Sequence, residues 1–203
     1  MSLSPGTYIS YTFRMIEVEI RGRLSDEERE RLTNFLSEHG TLVEEQDREM
    51  ILLYDYPGYS KDPIKRDTDI RLRQTNGTCE IMVKHKSGDH NVARHEIALP
   101  IGGSDLGVAK QVMKALGFSK GLWMHRQKHV YAYNKVEWSV VTIPGGLSYY
   151  EAEQVAEKAE DGERIREHLT KEAEALGLTV LGPDAMRDFI YTLDRAVNKE
   201  IEW

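Results

Sequence analysis

The sequence lacks the features that would place the protein in a membrane or outside the cell. Its 203 residues include one cysteine, Cys79, which cannot form an internal disulfide bond. No stretch approaches the roughly 20 apolar residues of a membrane-spanning helix. Residues 1–14 have neither the charged start nor the apolar run of a signal peptide. These absences predict a soluble, cytoplasmic protein with no membrane partner.

Two further absences narrow the function. The glycine pairs Gly102–Gly103 and Gly145–Gly146 do not lie between a strand and a helix that begins with Lys-Ser or Lys-Thr, so a phosphate-binding loop is excluded. Positive charge is not in excess, because the net charge is −7, which argues against nucleic acid as a partner. The excess of negative charge lies in the last 54 residues, which hold 14 acidic and 7 basic residues. The rest of the chain is balanced and can contain a cationic site.

Hydrophobic periodicity predicts one α+β domain without a linker or internal repeat. Alternating apolar and polar residues predict about eight antiparallel strands, at 16–23, 49–55, 69–74, 79–86, 93–99, 123–133, 136–143 and 148–154. Helices are predicted from Ser25 to Gly40, over 104–116, and from about residue 157 onwards. We divide the chain into an N-terminal extension (1–14), a sheet (15–154) large enough to close into a β-barrel, and a helical tail (155–203).

The charged residues of the predicted strands are sorted by sign. Residues two apart project from the same face of a strand. Such pairs are anionic in two strands, cationic in three and mixed in one: Glu17 and Glu19, Glu151 and Glu153, Arg71 and Arg73, Lys84 and Lys86, Arg126 and Lys128, and Arg94 and Glu96. Any single pair is explained by a solvated surface. If the faces point inward together, the cations need a multivalent anion and the carboxylates a hard cation, which a polyphosphate with a divalent metal supplies.

In this order the motifs resemble the CYTH superfamily, the triphosphate tunnel metalloenzymes. Glu17-x-Glu19-x-Arg21 is similar to the hallmark Glu-x-Glu-x-Lys of its first strand. The other elements that carry the resemblance are Arg71-x-Arg73, Lys84-x-Lys86, Arg94-x-Glu96, Arg126-x-Lys128-x-x-Tyr131 and Tyr149-x-Glu151-x-Glu153. The resemblance implies a closed antiparallel β-barrel of about eight strands, whose tunnel binds a small-molecule triphosphate with Mg²⁺ or Mn²⁺.

The resemblance also implies a role for each residue of the motifs. The phosphates would be held by Arg71, Arg73, Lys84, Lys86, Arg94, Arg126 and Lys128, and the metal by Glu17, Glu19, Glu96, Glu151 and Glu153. Arg21, with Glu17 and Glu19, would form the catalytic group that positions the attacking water. Five histidines near the basic strands, including His90, could suggest a metal cluster instead. Most of them alternate with the cations, so we assign them to the opposite face.

Two departures from the family pattern leave the activity open. Val141 occupies the place of a usual aspartate, unless Glu137 replaces that carboxylate, and Arg21 stands in place of lysine. The main hypothesis is a metal-dependent triphosphatase that hydrolyses the terminal phosphate of tripolyphosphate, thiamine triphosphate or a nucleotide. The alternatives are a class IV adenylyl cyclase, which makes cyclic AMP and pyrophosphate from ATP, and a binding module without turnover. A homodimer is also left open.

Overall fold

The computed structural model describes residues 15–86, 93–102 and 105–203. The strands are β1 (Met15–Leu24), β2 (Thr41–Leu53), β3 (Thr68–Thr75), β4 (Thr78–Lys86), β5 (Ala93–Ile101), β6 (Lys120–Tyr133), β7 (Val136–Ile143), β8 (Leu147–Ala156) and β9 (Lys199–Glu202). The helices are α1 (Asp26–His39), α2 (Leu106–Ala115), α3 (Gly162–Ala175) and α4 (Pro183–Ala196), with a 3₁₀ turn at Ala159–Asp161.

Eight of the strands form a closed antiparallel ring. The strand order is β2-β3-β4-β5-β1-β8-β7-β6, and β6 pairs again with β2. Strand β9 pairs with Lys120–Trp123 of β6, beyond the part of β6 that pairs with β7. This closed sheet with flanking helices and a C-terminal helical segment is the fold that the sequence predicts.

Local sequence explains the ends of several elements. Ser25 caps α1, because its Oγ accepts from the Glu28 N–H at 3.2 Å while the Glu28 carboxylate accepts from the Ser25 N–H at 2.8 Å. Asn76 and Gly77 have φ of 49° and 83°, which matches the two-residue turn expected between β3 and β4. Pro183 begins α4. The N-terminal extension lies outside the described residues.

Two helical layers cover the outside of the ring. Helices α1 and α3 pack on β1, β7 and β8 around Leu36, Leu169, Trp138 and Tyr150, all buried. Helix α2 covers β2, β3 and β4, and its Met113 packs in the same cluster as the buried Cys79. Because the outward faces carry this core, the charged alternate residues of the same strands face inward. None of the helices within the described residues is long and apolar enough to span a membrane.

Two elements differ from the sequence prediction. Strand β2 begins at Thr41, eight residues before the predicted start. The prediction missed these residues because the first half of the strand is exposed and has no apolar alternation. Strand β9 forms within the tail that was predicted to be helical, since Lys199–Glu202 pair with β6. The predicted helix over 104–116 is observed at Leu106–Ala115, and Ser104 lies outside the described residues.

Candidate functional site

The ring encloses a cavity of about 910 Å³. Cationic side chains enter it from six strands, β1 to β6, and carboxylates enter it from β7 and β8 among others. Twelve of the thirteen predicted site residues line it: Glu17, Glu19, Arg21, Arg71, Arg73, Lys84, Arg94, Glu96, Arg126, Lys128, Glu151 and Glu153. The exception is Lys86, whose Nζ lies 2.8 Å from the Ile64 carbonyl oxygen and 3.3 Å from the Asp67 carboxylate.

One ion-pair network joins β1, β4 and β5. Lys84 Nζ lies 2.8 Å from Glu17 Oε2 and 2.6 Å from Glu96 Oε2. Burial would raise the pKa of Glu96, but Lys84 and Arg73 outweigh it and hold that pKa below its usual range. For Glu17 burial is the stronger effect, and it raises the pKa despite Lys84. One lysine thus forms ion pairs with two carboxylates that the resemblance assigns to the metal.

A second network joins β1, β6 and β8. Glu151 accepts from Lys128 Nζ at 2.6 Å and from Arg21 Nη2 at 3.0 Å, and Arg21 also pairs with Glu19. Burial opposes ionisation of Glu151, but the charges of Lys128 and Arg21 hold its pKa well below the usual range. The pairing leaves Glu151 ionised inside the cavity.

The second carboxylate that β8 contributes to the cavity, Glu153, is in a different environment. It lies opposite Glu19 of β1 and opposite Glu137 of β7. Burial raises its pKa, and the negative charges of Glu19 and Glu17 raise it further, to about 8. Three carboxylates that face one another across neighbouring strands are a donor set that suits a hard divalent cation. Within the described residues, no three His, Cys, Asp or Glu side chains are already arranged around a metal position.

A third network centres on Asp69 of β3, which the sequence analysis did not select. Its carboxylate accepts from Arg71 at 2.7 Å, from Arg66 at 3.1 Å and from Arg94 at 3.3 Å. Burial would raise the pKa of Asp69, but Arg71, Arg66 and Arg94 outweigh it and hold that pKa well below its usual range. Asp69 precedes Arg71 by two residues, so period-2 alternation was the signal that could have identified it.

Arg48 of β2 also lines the cavity and was not predicted. Its Nε donates to Thr75 Oγ1 at 3.1 Å, and it lies opposite Arg126 of β6. Burial lowers the pKa of Arg48, and the charge of Arg73 lowers it further. The late predicted start of β2 hid this residue, because Arg48 then fell outside any strand.

Helix α4 covers one part of the cavity. Val141 lies opposite Lys128 and Tyr149, so it faces inward, but it is fully buried beneath α4. Arg126 is 3% exposed, and its Nη2 donates to Asn198, just after α4, at 2.8 Å. The position of the missing aspartate is therefore apolar and covered. Glu137 is exposed, shares the inward face with Glu153 and lines the cavity.

An apolar sector adjoins the charged wall. On β2 and β6 the inward residues change from charged to apolar at the same level, because Arg48 lies opposite Arg126 and Met50 lies opposite Met124. One step further, Leu52 lies opposite Leu122. The two strands thus give the cavity a wall of methionine and leucine side chains beside its arginines.

The other residues weighed in the sequence lie outside this cavity lining. His85, His95, His125 and His129 alternate with the inward cations, as expected, and His90 lies outside the described residues. Asp55, just after β2, also lies outside the lining: its Oδ2 accepts from the N–H groups of Ser119 and Lys120, at 2.6 and 2.9 Å.

Comparison with solved structures identifies the same fold in other proteins. The PH1819 protein from Pyrococcus horikoshii OT3 is 20% identical, with a TM-score of 0.69 over 87% of this chain and 98% of that one. A proposed adenylate cyclase from Vibrio parahaemolyticus is 17% identical, with a TM-score of 0.64 over 82% and 91%. HpAC1 from Hippeastrum, a proposed adenylyl cyclase with a dominant triphosphatase activity, is 16% identical, with a TM-score of 0.53 over 82% and 89%.

The chain shares the fold of these proteins. No protein-family model matches the sequence, and no curated protein matches it. The fold that the CYTH resemblance implied is thus confirmed.

Proposed function

We propose that this protein binds a triphosphate together with Mg²⁺ or Mn²⁺ in the cavity and hydrolyses the terminal phosphate. The observation that carries the proposal is the convergence of arginines and lysines from six strands on one enclosed space. A cluster of so many buried cations is costly unless anions compensate it. Triphosphate has several oxygens for bidentate contacts with arginine. The shared fold supports the proposal, because neighbours are described as adenylate cyclases and one as having triphosphatase activity.

The ion pairs suggest how both ligands would be accommodated. Without a ligand, the cations neutralise the cavity's own carboxylates: Lys84 pairs with Glu17 and Glu96, and Lys128 pairs with Glu151. A triphosphate would take over the cations, and a divalent metal would take over the released carboxylates. Neither group of charges is then left uncompensated, so each ligand is expected to favour binding of the other.

The carboxylates that would hold the metal are Glu17, Glu19 and Glu153, with Glu96 and Glu151 next to them. The metal would neutralise phosphate charge and polarise the phosphoryl group. In the hydrolysis, a water oxygen attacks the terminal phosphorus and the bond to the bridging oxygen breaks. The electron pair of that bond leaves with the shortened phosphate chain. Arg71, Arg73 and Arg94 would neutralise the charge that develops there, and Arg21 would orient the water.

The apolar sector favours a triphosphate that carries an organic group. The volume of about 910 Å³ is at the upper end for small-molecule sites. Met50, Leu52, Leu122 and Met124 offer no partner to a phosphate, but they can pack on a planar organic group. We therefore expect thiamine triphosphate or a nucleotide to be a better substrate than tripolyphosphate.

The test is phosphate release from tripolyphosphate, thiamine triphosphate and ATP, with Mg²⁺ or Mn²⁺ and with EDTA. We expect metal-dependent release that falls at least about 100-fold in Glu19→Gln, because a metal-binding carboxylate is lost. Glu157→Gln, an exposed change on the same protein, serves as the control and should leave the rate unchanged. Cyclic AMP and pyrophosphate as products from ATP would identify a cyclase instead.

Val141 favours a second candidate, a binding module without turnover. The usual carboxylate is replaced by an apolar side chain that is fully buried under Phe189 and Leu193. Calorimetric binding of tripolyphosphate without phosphate release from any of the three compounds would support this candidate. Absence of both binding and release would refute the triphosphate proposal altogether.

A further inference from the structure

Asp69 connects three arginines that come from three different segments. Arg66 comes from the loop before β3, Arg71 from β3 itself and Arg94 from β5. Their nitrogens lie 3.1, 2.7 and 3.3 Å from the Asp69 carboxylate oxygens. Asp69 is 3% exposed and lines the cavity. No other carboxylate in the described residues forms ion pairs with three arginines.

Arg66 is engaged by the protein at each of its three nitrogens. Besides its contact with Asp69, its Nε donates to the Ser60 carbonyl at 3.0 Å and its Nη2 donates to the Tyr59 hydroxyl at 3.1 Å. Its guanidinium carbon lies 4.7 Å from the centre of the Tyr59 ring. At 6% exposure Arg66 is a fixed support for Asp69 and not a ligand-binding group.

Arg71 and Arg94 also give one nitrogen each to Asp69, but unlike Arg66 their side chains make no other hydrogen bond to the protein within the described residues. Both line the cavity and keep other N–H groups for a ligand. The Nε of Arg71 is buried and has no hydrogen-bond partner within the described residues. A guanidinium fixed at one end with free donors at the other is prepared to bind a phosphate oxygen.

We propose that Asp69, supported by Arg66, is a positioning residue that orients Arg71 and Arg94 toward the triphosphate. This inference rests on the proposed function. Without the carboxylate, three neighbouring guanidiniums repel one another, and the two cavity arginines must be ordered when the ligand binds. The affinity for the ligand is therefore expected to fall although one negative charge has been removed from an anion site.

The test is calorimetric titration of tripolyphosphate in EDTA, at a temperature where circular dichroism shows each variant to be folded. We expect Asp69→Asn to bind at least about tenfold more weakly, because two charged hydrogen bonds lose their fixed geometry. Arg66→Lys, which keeps the charge and perturbs folding less, should weaken binding in the same direction. Asp67→Asn, two residues earlier and 74% exposed at the side chain, is the matched control and should bind like the unmutated chain.

A double-mutant cycle separates positioning from a structural role. Arg94→Gln should weaken binding about tenfold in the unmutated chain but much less in Asp69→Asn, where Arg94 is no longer oriented. An equal effect of Arg94→Gln in both backgrounds, or unchanged or tighter binding by Asp69→Asn, would overturn the inference. If the unmutated chain binds tripolyphosphate only with Mg²⁺, the same comparisons are made with Mg²⁺. If it binds under neither condition, the proposed function fails as well, so the two failures are distinguishable.

Discussion

Glu153 is expected to make the metal-free protein less stable as the pH rises, and Glu153→Gln should remove this effect. The folded protein has a Glu153 pKa of about 8, against 4.5 for an unperturbed glutamic acid. Between these values the folded state holds a proton that the unfolded state has lost. The free energy of unfolding therefore decreases by about 1.4 kcal/mol for each pH unit. Above pH 8 the accumulated loss reaches about 5 kcal/mol.

The measurement is urea unfolding of the unmutated chain and of Glu153→Gln at several pH values from 5 to 9, in EDTA. Glutamine keeps the shape of glutamic acid but does not ionise. The variant should match the unmutated chain near pH 4.5 to 5 and exceed it by several kcal/mol at pH 9. Glu157→Gln, at an exposed position, should follow the unmutated chain throughout. A stability difference between Glu153→Gln and the unmutated chain that is the same at pH 5 and pH 9 would refute the reasoning.

Three further predictions concern packing, helix capping and ligand coupling. Gly22→Ala should destabilise the protein by about 3 kcal/mol or more, because the added Cβ would lie 2.0 Å from the Thr179 carbonyl oxygen. Gly102→Ala, which meets nothing within 4 Å, should be tolerated in the same thermal unfolding assay, and equal melting temperatures of the two variants would contradict this account. Ser25→Ala should cost about 1 kcal/mol in urea unfolding through loss of the capping box of α1, and no measurable loss would show that the cap is dispensable. Mg²⁺ should tighten tripolyphosphate binding in calorimetry, and tripolyphosphate should tighten Mg²⁺ binding by the same factor, whereas independent binding would contradict the proposed exchange of ion pairs.

The sign-sorted pairs were predictable because period-2 alternation fixes which side chains share a face. Glu17, Arg71 and Lys84 line the cavity with the other residues of this pattern, and the outward residues between them form the core. Lys86 shows the limit of that reasoning. It shares the face of Lys84, but it lies at the end of β4, where its ammonium group donates a hydrogen bond to the Ile64 carbonyl. Strand alternation determines a face but not a depth along the cavity.

The residues that were not predicted depend on contacts between distant segments. Arg48 directly follows the exposed half of β2, which forms a strand because it pairs with β6 and not because of its own pattern. Asp69 is a single acidic residue, and its importance follows from Arg66 and Arg94, which the chain brings to it from a loop and from β5. The cover that α4 places over Val141 likewise depends on tertiary packing. Period-2 alternation places Asp69 on the inward face, but the long-range contacts that decide the roles of these residues leave no local signal.

The buried thiol has a practical consequence for studying this protein in solution. Cys79 is the single cysteine of the sequence, it is 0% exposed, and burial raises the pKa of its thiol. The thiolate form is the nucleophile that attacks thiol-reactive dyes, so the native side chain should remain unlabelled while the protein is folded. A cysteine introduced at the exposed Lys61, in the loop that contains Arg66, would then carry a fluorophore at one defined place. The native sequence is thus already suited to site-specific spectroscopy of that loop.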